Sequence, residues 1–218
     1  GGRISLIYNA SLQSNVTPRP MAQFLVGRGW GASGYGQVGT LYFSDNGLLY
    51  APRFNGGQLL NFSSWSADAL SISNSSLYLP TGFRLVVTNN LALTNSQLYA
   101  TNLSFSVGGH VMLVSTSTAY LYSGPGGTAS ATVVGSLLMT NASRLYVYGG
   151  ATNAGDSYGT LVAVNGDMTI HDGCWVCPVS ETANGGSVKF VMNNLTLLTT
   201  NSGFDANVFG YISKYTNG

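Results

Sequence analysis

The chain has 218 residues and a net charge of +1, from eight Lys and Arg against seven Asp and Glu, so only 7% of it is charged, where an ordinary soluble domain has about 25%. Hydrophobic residues at 44% exclude a polar disordered chain. The near-neutral balance excludes the basic footprint of a nucleic-acid binder, and no apolar run approaches the roughly 20 residues that span a bilayer. Small polar residues take the place of charge, with 26 Ser, 19 Thr and 19 Asn beside 29 Gly. That is the composition of an extracellular β-protein. No charged-then-apolar leader opens the chain, so a secretion signal is expected to have been removed or to lie outside it.

In chain order, Gly1 to Tyr8 alternates like a strand, and the glycine-rich stretch Gly27–Gly39 reads as a lateral loop. Leu49, Tyr50 and Ala51 match the end of a block that then recurs. The block runs Leu70, Ile72, Asn74, Leu77, Tyr78, Leu79, and again Leu91, Leu93, Asn95, Leu98, Tyr99, Ala100. It returns from Val111 and Leu113 to Tyr120 and Leu121, from Leu137 and Met139 to Tyr146 and Val147, and more weakly from Met168 and Ile170 to Trp175 and Val176. A second glycine-rich loop, Gly149–Gly159, separates the last two copies, and Asn207–Gly218 shows no helical pattern.

Each block alternates with a period of two, the signature of strands with one buried face. Two short strands are joined by an Asn, Ser or Asp corner, residue types that bond nearby backbone and tolerate left-handed geometry. Coils of about 21–30 residues without helix predict a single-domain parallel β-helix, an all-β solenoid, over 1–218. Stacked coils form ladders about 4.8 Å apart, in which like charges repel while Asn, Ser and Thr bond to their copies. Leu70, Ile72, Leu77, Leu79, Leu91, Leu93, Leu98, Leu113, Met139 and Leu145 are expected inside. Tyr50, Tyr78, Tyr99, Tyr120, Tyr146 and Trp175, one position out of phase, are expected to form an outer ladder. A longer similarity, about 27–62 to 149–190, suggests an internal duplication.

With these motifs placed, the sequence resembles the large repetitive β-helix surface proteins, autotransporter- or adhesin-like, of Verrucomicrobia, Lentisphaerae and relatives. The resemblance rests on Gly1 to Ile4 with Tyr8, on Gly39 to Tyr42, on Asn165 to Thr169 and on Asn184 to Phe190. It continues through Asn194 to Thr196, Gly203 to Asn207 and Gly210 with Tyr211. It implies a β-helix outside the cell and supplies no catalytic residues. In that pattern a glycine-rich segment after Gly210 and Tyr211 leads into another Gly-Gly-Arg-Ile, whereas this sequence stops at Gly218.

The outer aromatics suit either a carbohydrate surface, with flat apolar faces for sugars, or a packing ladder. Asn9, Asn15, Asn61, Asn74, Asn102, Asn141 and Asn194 stand in Asn-x-Ser/Thr sequons and are glycosylation candidates. Cys174 and Cys177 are a candidate disulfide, or small apolar fillers, since no helical period supports a redox motif. Glycoside hydrolysis needs two carboxyl groups about 5–9.5 Å apart. Asp167, His171 and Asp172 form the only cluster, and a turn role explains Asp172. No metal and no cofactor is expected. The leading expectation is a non-enzymatic structural protein of the cell surface or extracellular matrix, assembling head to tail with itself. Its alternatives are a carbohydrate-binding or adhesin module and, third, a polysaccharide lyase or hydrolase.

Overall fold

The structure, a computed structural model, describes residues 2–18, 22–26, 29–31, 34–36, 39–55, 59–60, 62–123, 129–150, 158–181 and 186–207. The alternating blocks form strands that wind into a parallel β-helix with three faces. Face one comprises Ser64–Ala67, Arg84–Val87, Ser104–Val107, Ser130–Val133, Thr160–Val164 and Val188–Met192. Face two has eight strands, Gln23–Leu25, Arg53–Asn55, Leu70–Ser73, Leu91–Thr94, Val111–Val114, Leu137–Met139, Met168–Ile170 and Leu195–Leu197. Face three comprises Ser76–Tyr78, Gln97–Thr101, Thr118–Tyr122, Arg144–Tyr148, Trp175–Val179 and Gly203–Phe204. A shorter parallel sheet, Arg3–Leu6, Thr40–Phe43 and Leu59–Leu60, belongs to the first coils.

Successive Cβ atoms on a strand point to opposite sides, so one residue in two enters the interior. All ten expected interior residues are buried. Leu77, Leu98, Ala119, Leu145, Val176 and Phe204 stack as one column along face three. Phe24, Phe54, Ile72, Leu93, Leu113, Met139, Ile170 and Leu197 stack along face two without a register shift. Near the first coils the core turns aromatic. Phe24 meets Phe43 edge-on at 4.9 Å and stacks on Phe54 at 5.6 Å. Trp65 donates its indole N–H to the Leu49 carbonyl, 2.7 Å away, which satisfies its one polar atom in the core.

The corners explain the small residues. Between faces two and three the backbone is left-handed, with φ of 48° at Asn74 and Asn95 and 54° at Asn141. Asparagine is among the few residues that adopt this geometry readily. Between faces one and two, a Cβ on Gly135 would lie 2.5 Å from the Gly109 carbonyl oxygen of the coil below. Only glycine fits so close an approach. Just inside the first kind of corner runs a buried column of Ser75, Ser96, Ser117, Ser143, Cys174 and Ser202. Ser96 Oγ donates toward the Ile72 and Thr94 carbonyls and accepts from the Ser75 amide at 3.1 Å. These hydroxyls satisfy backbone groups that a turning chain leaves unpaired.

The expected lateral loop at Gly27–Gly39 contains an antiparallel hairpin, Trp30–Gly31 with Gly34–Tyr35. It leaves and rejoins the coil at one point, where the Gly39 amide donates to the Val26 carbonyl at 2.8 Å. In the second loop, residues 151–157 lie outside the described residues, while the Gly150 amide donates to Thr160 Oγ1 at 3.2 Å beside its exit. In the similarity of about 27–62 to 149–190, the matched prolines take different places on the coil. Pro52 immediately precedes a face-two strand, whereas its counterpart Pro178 lies inside a face-three strand.

Candidate functional site: the tyrosine ladder and the corners

Face three carries the aromatic ladder. Tyr78, Tyr99, Tyr120 and Tyr146 pair in register from coil to coil. Their ring centroids are 4.5, 4.6 and 5.0 Å apart, with planes within 6° of parallel. Parallel rings at that separation are in the offset-stacked geometry. Each inner ring therefore packs part of both faces against its neighbours. A second ladder, absent from the sequence reading, stands beside the first, with Tyr122 on Tyr148 at 4.2 Å. Tyr120 joins the two, 5.8 Å from Tyr122. The Tyr99 hydroxyl donates to Gln97 Oε1 at 2.9 Å, and Arg144 donates to the Tyr146 hydroxyl at 3.1 Å. Burial, reinforced by the neighbouring tyrosines, pushes Tyr99 and Tyr122 up to about 12.

Two expected ladder members lie elsewhere. Trp175 pairs with Arg144, and the residue that follows Tyr146 in the ladder column is Cys177. Tyr50 sits at the corner between faces one and two, where its carbonyl accepts from the Asp68 amide at 2.6 Å. The candidate disulfide is likewise corrected: Cys174 and Cys177 are both free and buried. Residues three apart on a strand point to opposite sides, so Cys174 joins the inner serine column while Cys177 lies in the outward tyrosine column. Burial raises both thiols above their ordinary range.

The sequon asparagines sit mostly at turns. Asn9 caps the short helix Ala10–Ser14 by accepting from the Leu12 amide at 3.1 Å, and Asn15 ends it. Asn95 donates to Asn74 Oδ1 at 2.8 Å, and Thr116 donates to Asn95 Oδ1 at 3.3 Å, a polar ladder along the corner. Asn74 and Asn141 are exposed, but the sequon hydroxyls two residues on, Ser76 and Ser143, are buried. Asn102 is half-buried with a φ of 52°, Asn194 is exposed, and Asn61 lies outside the described residues.

The two acids of the sequence cluster, Asp167 and Asp172, stand apart. Asp167 stands before the strand Met168–Ile170 and Asp172 after it, at different corners. Asp167 Oδ1 accepts from Asn194 at 2.7 Å and Asn193 at 3.3 Å, and Asp172 accepts from Thr199 at 3.0 Å. Asp68 accepts from Asn89 at 2.7 Å. Tyr8 donates to Asp45, which also accepts from the Gly47 amide at 2.7 Å. Burial, then that bond to Asp45, pushes the Tyr8 phenol up to about 12, and the same bond lowers the Asp45 carboxyl. Each of these carboxylates ties one coil or turn to the next. Among the described residues no three His, Cys, Asp or Glu side chains gather as a metal site, and no helix is long and apolar enough to cross a membrane. Comparison with known proteins gives no match of the chain to a family model, a curated protein or a solved structure.

Proposed function

We propose that the protein is a non-enzymatic structural element of the cell surface or extracellular matrix, a β-solenoid that assembles head to tail with copies of itself. One observation carries this reading. Leu195 and Leu197 continue interior columns whose previous members, Met168 and Ile170, are fully buried, yet they are 44% and 46% exposed. Among the described residues no strand pairs with the outer edge of Leu195–Leu197. An apolar coil end with an open parallel edge is a template for a further strand. Translation of one copy onto the next gives a heterologous contact that does not close, and therefore a fibre.

Two features agree with a structural role. The carboxylates at Asp45, Asp68, Asp167 and Asp172 are engaged in inter-coil or turn hydrogen bonds. The inner rings of the tyrosine ladder stack on one another, which leaves less flat surface for sugar stacking. The resemblance to large bacterial surface β-helices supports the same location.

Sedimentation velocity over a concentration series, followed by electron microscopy, tests the proposal. Concentration-dependent growth into unbranched filaments is the expected result. A monomer at every concentration, without filaments, would overturn it and favour a coil end that meets the continuation of a longer chain.

A further inference from the structure

Six tyrosines on the outer side of face three join in one connected stack. Tyr78, Tyr99, Tyr120 and Tyr146 follow one another at 4.5, 4.6 and 5.0 Å between ring centroids, with planes within 6° of parallel. Tyr122 lies 5.8 Å from Tyr120 and 4.2 Å from Tyr148. Phenols are among the side chains that give up a single electron most readily, and rings in van der Waals reach pass the electron deficiency from one to the next. The surroundings of the six rings differ. Tyr78, the first rung of face three among the described residues, is the only exposed ring of the six, at 36%. The other five are half-buried. At the opposite end Arg144 donates to the Tyr146 hydroxyl at 3.1 Å, and a fixed positive charge beside a ring opposes electron loss from it. Between the two, burial raises Tyr99, Tyr120 and Tyr122 above the ordinary phenol range, so these rings hold the proton that an oxidised phenol must shed. Both gradients run toward Tyr78.

We propose that the ladder is an oxidative modification site: its six rings collect one-electron oxidation and pass it to Tyr78, which couples to Tyr78 of a second copy as dityrosine. The co-reactant is a small one-electron oxidant of the peroxide-derived class. Each Tyr78 loses one electron to the oxidant and its phenolic proton to water. That leaves a neutral phenoxyl radical with spin density on the ring carbons ortho to oxygen. Two such radicals form one carbon–carbon bond between ortho carbons, and the hydrogen on each joining carbon moves to oxygen to restore the phenol. The sum is two tyrosines giving one dityrosine, two electrons and two protons. Neighbours within the stack are held away from this bond, because coupled rings lie edge to edge, whereas strand spacing of about 4.8 Å keeps the rungs stacked. Collision of two copies supplies the partner, so the inference goes beyond head-to-tail association and does not require it. A covalent tie between copies suits the proposed structural role.

Photo-oxidation with tris(bipyridyl)ruthenium and persulfate, in which each persulfate takes two electrons to give two sulfates, tests the site. Cross-linked peptides are mapped by mass spectrometry, with Tyr50, 38% exposed at another corner, as the reference for oxidant dose. Wild type is expected to couple through Tyr78 several-fold more than through Tyr50. Tyr120→Phe keeps a stacking ring but breaks the route, leaving only Tyr99 to feed Tyr78. Six collecting rings become two, so coupling at Tyr78 should fall about threefold while coupling at Tyr50 stays the same. Tyr120 is two rungs from Tyr78, so a reading based on the exposure of Tyr78 alone expects no change. Tyr99→Phe, which leaves Tyr78 without a feeding ring, should lower the coupling further, and circular dichroism checks that both variants keep the fold. Equal coupling at Tyr78 and Tyr50 in wild type, or coupling at Tyr78 that neither variant lowers, would overturn the proposal. So would dityrosine mapped chiefly to the half-buried rings.

Discussion

Replacing Tyr99 by alanine separates a structural ladder from a ligand surface. Tyr99 stacks on Tyr78 at 4.5 Å and on Tyr120 at 4.6 Å, and its hydroxyl is bonded to Gln97. Each stacked pair contributes about 0.5–1.5 kcal/mol beyond buried area, so two pairs give about 1–3 kcal/mol. Loss of the half-buried ring adds about 1–2 kcal/mol at about 25 cal/mol per Å². The expected destabilisation is thus about 3 kcal/mol, a fall in Tm of roughly 6–12 °C for a chain of this size. Tyr78, at the end of the stack and 36% exposed, has one stacking partner in the ladder and should lose about half as much. Tyr99→Leu keeps much of the apolar area and isolates the stacking part. Urea and thermal unfolding followed by circular dichroism measure the totals. Hydrogen exchange across residues 97–101 shows whether the loss is local, since coil arrays can unfold in parts. Equal losses at Tyr99 and Tyr78, or a loss at Tyr99 below about 1 kcal/mol, would refute a load shared by stacked faces. Ring faces would then be free for sugars.

Ser117→Ala removes a hydroxyl that donates to the Val114 carbonyl and accepts from the Ser96 amide at 3.3 Å; the expected loss is about 1–3 kcal/mol, measured by urea unfolding, while Cys174→Ser in the same column should be nearly neutral. Alkaline titration should show delayed ionisation of Tyr99 and Tyr122, which the fold holds near 12 against an ordinary 10.0. Because the folded state favours the neutral phenol, this stabilisation is complete below pH 10 and is lost as pH rises through about 12; tyrosinate absorbance and circular dichroism followed together should show ionisation and unfolding rising over that window, and early ionisation of every tyrosine at unchanged fold would contradict it.

The interior was legible because alternation is local: Leu70, Ile72, Leu91 and Leu93 announce their own faces. The errors lie where register depends on counting across corners. Met139 and Leu145 are six residues apart on consecutive strands, and so are Ile170 and Val176. Counting from interior to interior would have placed Cys177, not Trp175, after Tyr146. Aligning on the nearest aromatic misplaced Trp175, and Tyr50 with it. The second ladder leaves little trace in the sequence because Tyr122 and Tyr148 occur in only two blocks. The inner column of Ser75, Ser96, Ser117 and Ser143 was hidden differently. Serine at a corner reads as a solvated turn residue, and only the close passage of the coil below turns its hydroxyl inward to backbone.

The scarcity of charge follows from the same stacking. Two like charges about 4–5 Å apart repel by about 1 kcal/mol in water and several times more beside a protein surface, and a ladder would repeat that at every rung. The few charges present obey the constraint. In their columns Arg3 has Thr40 as a neighbour, Arg53 lies between Gln23 and Ser71, and Arg84 between Ser64 and Ser104. Arg144 stands between Thr118 and Trp175, and Lys189 beside Leu161. No described Arg or Lys is stacked on another. Asp68 with Asn89, Asp167 with Asn194 and Asp172 with Thr199 show acids partnered by neutral donors in the next coil. A chain that stacks on copies of itself must meet this condition at one more place, the junction between molecules.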